Sequence, residues 1–236
     1  GVLNQPHRKI ITLEDPVEYR LTGVSQCNVK RDEEGNINFQ EGLVACLRCD
    51  PDVIMLGEIR SPEVAATAMQ AAMTGHLVLS TIHANSAIAT VSRLRNLGIA
   101  SYLINSSLLA ISAQRLIRSV CPHCAQEKEF TPDQIAIVQK TFQSLKARQI
   151  ELPEQLPHSE KVGKGCEYCN FSGYLGRLVV SEILVISEKM QELIRTDVSE
   201  KELIKQAVAD GLITMKEDSI LKVIWGETNL NEALRI

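Results

Sequence analysis

Three short apolar runs, each ending in polar or charged residues and separated by segments with helical period, constrain this chain most. KIITLED over 9–15 reads as a β-branched strand that ends in two acids, VIML over 53–56 runs into Gly57-Glu58-Ile59-Arg60, and HLVLSTI over 76–82 reads as a buried strand. VSQCNV over 24–29 adds a further short strand, and RDEEGNINF over 31–39 has the charge and Asn/Gly content of a loop or hairpin. A helix is expected over 39–49. Ser61 as N-cap and Pro62 at the first helical position open another, which Gly75 stops. Two more are expected at about 86–97, closed by Gly98, and at about 101–118. Strands and helices in alternation predict an α/β fold with a largely parallel sheet.

The pattern changes after Val120. A polar helix at 132–147, the Pro-rich link ELPEQLPH and a strand in GRLVVSEILVI follow. Ser199-Glu200-Lys201-Glu202 fits a capping box, and amphipathic segments at 199–209 and 215–224 make a helical tail. With 236 residues, 44% of them hydrophobic, the chain can bury a substantial core in one or two domains. A net charge of −4 and 4% aromatic residues argue against a general nucleic-acid binder, which needs clustered Lys and Arg. No apolar run approaches the ~18 residues of a membrane span, and the N-terminus lacks the layout of a signal peptide. The expected compartment is therefore the cytoplasm, with any membrane association made through a partner. GVLNQPHRK reads like the end of a helix entering a loop, so the chain is expected to be a piece of a longer protein.

In open α/β sheets ligands sit beyond the C-terminal ends of the parallel strands. Three strands deliver polar groups there: Glu14, Asp15 and Glu18 from the first, Glu58 and Arg60 from the second, Ser80, Thr81, His83 and Asn85 from the third. Carboxylates hold Mg²⁺ through its waters and orient an attacking water, while Arg and His neutralise charge on a transferring phosphoryl group. Strands of this kind commonly carry an Asp before the catalytic Glu to serve the magnesium shell, but here that position is Gly57. The expectation is that Glu58 polarises the water while Glu14, Asp15 and Glu18 manage the metal. The GxxxxGK[ST] loop that would cradle the phosphates does not occur in these residues.

Seven cysteines is an odd count. Cys121-Pro-His-Cys124 and Cys166-Glu-Tyr-Cys169 are two knuckles that can present four thiolates to one tetrahedral Zn²⁺. All four positions are filled by protein, so a structural site is expected, pinning the base of a helical excursion. His123 is a substitute ligand within the first knuckle, and Cys27, Cys46 and Cys49 show no partner pattern.

ITLEDPVEY, DPDVIMLGEIRSPEVA, TGHLVLSTIHANSA, the two knuckles and SGYLGRLVVSEIL together resemble the secretion ATPase family, the motors of type II secretion and type IV pilus assembly, over essentially the whole chain. The segments are similar to that family's aspartate box, Walker B strand, histidine box and tetracysteine motif, in that order. The resemblance implies a partial RecA-like P-loop NTPase core over 1–119, a zinc-binding excursion over 120–172, and a return strand with a C-terminal helical subdomain over 173–236. It implies His76 and His83 as the histidine-box pair. Arg60, Thr81 and Asn85 at the strand ends are expected as nucleotide contacts, and Arg48 and Arg177 either touch phosphate or adenine or are surface charges. ATP, Mg²⁺ and structural Zn²⁺ are the implied cofactors. The implied partners are five more copies in a hexamer and an inner-membrane platform protein, with no nucleic acid. The retraction branch generally lacks the tetracysteine, which favours a secretion or assembly motor, and competence DNA-uptake motors share the pattern. Without the phosphate loop, the isolated chain is expected to hydrolyse little or no ATP. The alternative is a non-catalytic zinc-stabilised scaffold, against which the retained Glu58, acids and histidines speak.

Overall fold

A computed structural model describes residues 2–30 and 37–236; the loop expected over 31–39 lies, for residues 31–36, outside the described residues. In chain order the elements are β1 (Ile10–Glu14), β2 (Ser25–Asn28), α1 (Phe39–Leu47), β3 (Val53–Leu56), α2 (Pro62–Met73), β4 (Leu77–Ser80), α3 (Ala87–Asn96) and α4 (Ser101–Ser107). There follow β5 (Ala110–Val120), β6 (Ala125–Glu129), α5 (Pro132–Ala147), β7 (Ser159–Gly163), β8 (Tyr174–Val185), α6 (Glu188–Arg195), α7 (Glu200–Ala209), α8 (Met215–Ile224) and α9 (Leu230–Ala233). Two compact units result. One holds the residues up to Leu109 with Ile186–Ile204, the other Ala110–Val185 with Lys205–Ile236.

The first unit is built on a four-stranded parallel sheet in the order β2-β1-β3-β4. Ile10, Ile11 and Leu13 of β1 and Val53, Ile54 and Leu56 of β3 are buried, as strands covered on both faces must be. The register sets Leu13 opposite Leu56 and Leu56 opposite Ser80, so β1, β3 and β4 end level with one another. The flanking helices start where their caps dictate. Ser61 Oγ accepts from Val64 N at 3.3 Å ahead of Pro62, and Ser86 Oγ accepts from Ala89 N at 3.0 Å. Val64, Ala65, Ala68, Met69 and Ala71 then form the buried stripe of α2.

In the second unit β5 and β8 form a long antiparallel ribbon, from Ala110 opposite Val185 to Val120 opposite Tyr174. The helix expected over 101–118 is corrected here. α4 ends at Ser107, Leu108 is extended, and residues 110–120 are strand. Ile104, Leu108 and Ile111 recur at helical spacing, but the β-branched partner strand in β8 offers pairing along the whole of 110–120, and tertiary pairing outweighs local propensity. β6 and β7 pair antiparallel. Val138 and Phe142 of α5 pack with Ile220, Val223 and Ile224 of α8 and with Leu230 and Ala233 of α9. Buried acids cap the helices of this core: Glu182 Oε2 accepts from Met215 N at 3.1 Å, and Glu160 Oε2 accepts from Leu230 N at 2.6 Å. No helix among the described residues is long and apolar enough to cross a membrane.

Candidate functional site

Parallel pairing carries on past the strands. Gly57 N donates to Leu13 O at 2.8 Å and Ile59 N to Thr81 O at 2.8 Å, while Thr81 Oγ1 donates to Gly57 O at 2.6 Å. These bonds staple the ends of β1, β3 and β4 together and hold Glu58 between its neighbours. Its carboxylate, 15% exposed, forms an ion pair with Arg60 Nε and lies 3.3 Å from His83 Nε2. A carboxylate flanked by a guanidinium and an imidazole on a strand end can orient a water while its two neighbours face incoming negative charge.

Glu14 closes β1 next to this group. Its Oε1 accepts from Thr12 Oγ1 at 2.5 Å and from Gln26 Nε2 at 3.0 Å. A methyl group built on Gly57 would lie 3.6 Å from the Cα of Glu14 and 3.3 Å from Leu13 O, so a side chain at position 57 would be in tight contact with β1. Asp15 and Glu18 follow on an exposed loop, which Val17 N ties to Asn28 Oδ1 at 2.8 Å. Among the described residues, the cysteine quartet is the one cluster of three or more potential metal ligands, so the three acids do not form a closed cation cage. This donor set suits magnesium, which keeps its waters and takes one or two carboxylates together with substrate phosphates.

The structure therefore brings Glu58, Arg60, Thr81 and His83 together, with Glu14 alongside, while Asn85 stands two residues past His83 in the exposed segment before α3. His76 is not in this group. It sits at the opposite end of β4, ~13 Å of strand away. There its Nδ1 lies 3.0 Å from Ala71 O and 3.1 Å from Thr74 Oγ1, closing the C-terminus of α2. Arg177 belongs to the second unit, on β8 opposite Arg118. Arg48 is the C-cap of α1. Beside Glu58 and Arg60 opens a cleft of about 430 Å³ that also takes in Lys30, Asn38, Phe39, Gln40 and Ser61. No motif marks Lys30, Phe39 or Gln40. The available signal was the Asn38/Glu41 capping box, which fixes where α1 begins and hence what faces the cleft.

The four knuckle cysteines converge. All their Sγ atoms lie within 4.8 Å of one another, with Cys121–Cys166 at 3.9 Å, Cys124–Cys169 at 3.8 Å and Cys166–Cys169 at 3.7 Å. Thiolates at ~2.3 Å from a tetrahedral zinc are ~3.8 Å apart, so the quartet fits that ion. Backbone N–H groups point at the sulfurs: Gly165 donates to Cys124 Sγ at 3.3 Å, and Cys166 and Gly173 donate to Cys169 Sγ at 3.2 and 3.3 Å. Burial pushes the Cys169 thiol up, but these donors outweigh it and bring it down to about 6. The two halves meet only because Gly163 and Gly173 lack side chains: a Cβ on Gly163 would fall 1.9 Å from Gly173 O. The His123 and Tyr168 rings stack at 4.1 Å.

Residues 1–235 match the family model described as "Type II/IV secretion system protein". The chain is 40% identical to a type II secretion system protein E of Aeromonas hydrophila, covering 99% of this chain and 44% of that protein. It is 36% identical to the type IV pilus assembly ATPase PilB of Thermus thermophilus, over 97% of this chain and 24% of that protein. The chain thus spans less than half the length of these relatives. Among solved structures, the pilus retraction motor PilT with bound ADP superposes with a TM-score of 0.67 at 26% identity, covering 99% of this chain and 54% of that one. The α/β architecture is thereby a RecA-like core, and the expectation of a secretion-type relative is met by sequence and by fold alike. By its own sequence pattern, from the first strand to the last helix, the chain belongs to the type II/IV secretion system protein family.

Proposed function

We propose that this chain is the catalytic part of a magnesium-dependent ATPase that powers type II secretion or type IV pilus assembly. The observation that carries the reading is the carboxylate of Glu58, set on the end of β3 and clasped by Arg60 and His83. Glu58 orients the attacking water, His83 and Arg60 meet charge on the γ-phosphoryl group, and Thr81 keeps the two strand ends in register. Asp15, Glu18 and Glu14 would hold a hydrated magnesium, which would supply charge neutralisation at the phosphates. Asn85 is a nucleotide contact in this reading. His76 acts by fixing the end of α2. The tetracysteine excursion of 120–172 is a structural appendage held by zinc.

In the whole protein the active form is a homo-hexamer on the cytoplasmic side of the inner membrane, pushing a platform protein that assembles pilins or pseudopilins. The names of the relatives support the choice of machine. The phosphate-cradling loop comes from outside these 236 residues, so the isolated chain turns over ATP weakly or not at all. Backbone N–H groups and a lysine of that loop supply much of the β/γ-phosphate stabilisation. The test is Glu58→Gln in the full-length protein. Hydrolysis is expected to fall by two or more orders of magnitude, in line with the loss of a water-positioning group (~10²–10⁴-fold), while nucleotide binding is retained. Unchanged turnover rejects the assignment of Glu58, and robust turnover by the isolated chain at millimolar ATP rejects the need for the outside loop.

A further inference from the structure

The zinc site uses four of the seven cysteines, and two of the remaining three share the same spacing. Cys46-Leu47-Arg48-Cys49 is a third CxxC, at the end of α1. Cys46 is buried and Cys49 is exposed. Cys49 N donates to Cys46 O at 2.9 Å, closing a turn that continues the helix by one step, and Cys49 Sγ leans back to 3.4 Å from Ala45 O. Residues three apart in a helical turn lie on one face with Cα atoms ~5–5.5 Å apart, inside the ~4.4–6.8 Å range that a disulfide spans. Asp50, at φ +51°, leaves the helix directly afterwards, so no further turn covers the pair.

We propose that Cys46 and Cys49 are a reversible dithiol–disulfide site, closed by exchange with a small-molecule disulfide such as oxidised glutathione. The exposed Cys49, as thiolate, attacks one sulfur of glutathione disulfide and releases one glutathione thiolate. Cys46 then gives its proton to solvent and attacks the Cys49 sulfur of the mixed disulfide, releasing the second. The two cysteines lose two electrons and two protons, and glutathione disulfide takes them up as two thiols. Burial, with the neighbouring Cys27 and Cys49, pushes the Cys46 thiol up to about 11, which makes closure the slower step and speeds it as pH rises. The pair lies at a helix end and not at a helix start, where a dipole would activate a thiolate, so it suits a stored bond better than catalysis of exchange in other proteins. Once formed, the bond ties the last turn of α1 to the loop that Lys9 already holds through Cys49 O and, at 2.6 Å, through Asp52 Oδ2.

Trypsin reads the bond directly because it cuts after Arg48, between the two cysteines. The zinc-replete 236-residue chain would be treated with oxidised glutathione, alkylated, digested without reductant and analysed by mass spectrometry. The expected product is peptide 32–48 joined to peptide 49–60, lighter than their sum by two hydrogen atoms. It should form faster at pH 8.5 than at pH 7, revert with dithiothreitol and be absent from Cys49→Ser. A stable glutathione adduct on Cys49, a link from either cysteine to Cys27, or separate alkylated peptides would each overturn the proposal.

Discussion

Gly57 shows how one missing side chain shapes the site. A Cβ there would lie 3.3 Å from Leu13 O and 3.6 Å from the Cα of Glu14, so an added methyl would press on β1 and ask it to give by a few tenths of an ångström. Gly57→Ala should destabilise the fold by about 1–3 kcal/mol through overpacking. Gly57→Asp should cost more, since it adds a carboxylate between Glu14 and Glu58. Urea midpoints check both, and a midpoint unchanged in Gly57→Ala would mean that the end of β1 yields without strain. At this scale the sequence was informative where a residue follows its strand directly. Glu58, Arg60, Thr81 and His83 could be read as neighbours because parallel strands end level. His76 shares a motif with His83 but lies at the wrong end of a four-residue strand, and a one-dimensional pattern does not separate the two ends. The CxxC of Cys46 and Cys49 is as visible in the sequence as the other two, but it has no second knuckle to converge with, and only the structure shows one thiol buried and the other exposed.

Among the elements, those fixed by local rules were legible and those fixed by distant partners were not. The start of α2 follows from Ser61 and Pro62, and α5 and α8 open on capping boxes at Thr131 and Thr214. β5 escaped because its partner lies some 60 residues further along the chain. The same ribbon is held to α9 by an ion pair that no local pattern announces. Glu232, almost fully buried, accepts from Arg118 Nε at 3.0 Å, from Arg118 Nη2 at 2.7 Å and from Arg118 N at 3.0 Å. These bonds from Arg118, reinforced by Arg235, hold the Glu232 carboxyl at about 2, below its usual 4.5. A carboxyl lowered by folding stabilises the fold above its unfolded value and loses that contribution as pH falls. The stability of the chain should therefore drop between pH 4.5 and about 2. Glu217 adds to the same slope: burial pushes it up, but Arg148 and Thr214 outweigh this and hold it low. Glu232→Gln should cost about 1.5–3 kcal/mol at pH 7 and flatten the acid limb of the stability curve. Identical acid limbs in the two proteins would show that the Arg118 pair does not govern it.

For the whole molecule, the dependence on metal should be confined to a part of the chain. The quartet belongs to the second unit, and three of the amides that frame it, Gly165, Cys166 and Gly173, donate to sulfur instead of to carbonyl oxygen. Sulfurs held within 4.8 Å of one another repel as thiolates unless a cation lies between them, so zinc binding is expected to order the loops that carry the four cysteines. The sheet of the first unit rests instead on the buried apolar side chains Leu13, Ile54 and Leu56. One zinc per chain is expected by elemental analysis. Stripping it with a strong chelator under reducing conditions should speed hydrogen exchange at Gly165, Cys166 and Gly173 by at least tenfold. Amides such as Gly57 and Ile59, bonded across β1, β3 and β4, should keep their protection. Cys166→Ser should reproduce the chelated pattern without chelator. Fast exchange in both sets of amides after zinc loss would mean that the metal supports the entire chain, and no change in either would mean that the quartet holds itself together without it.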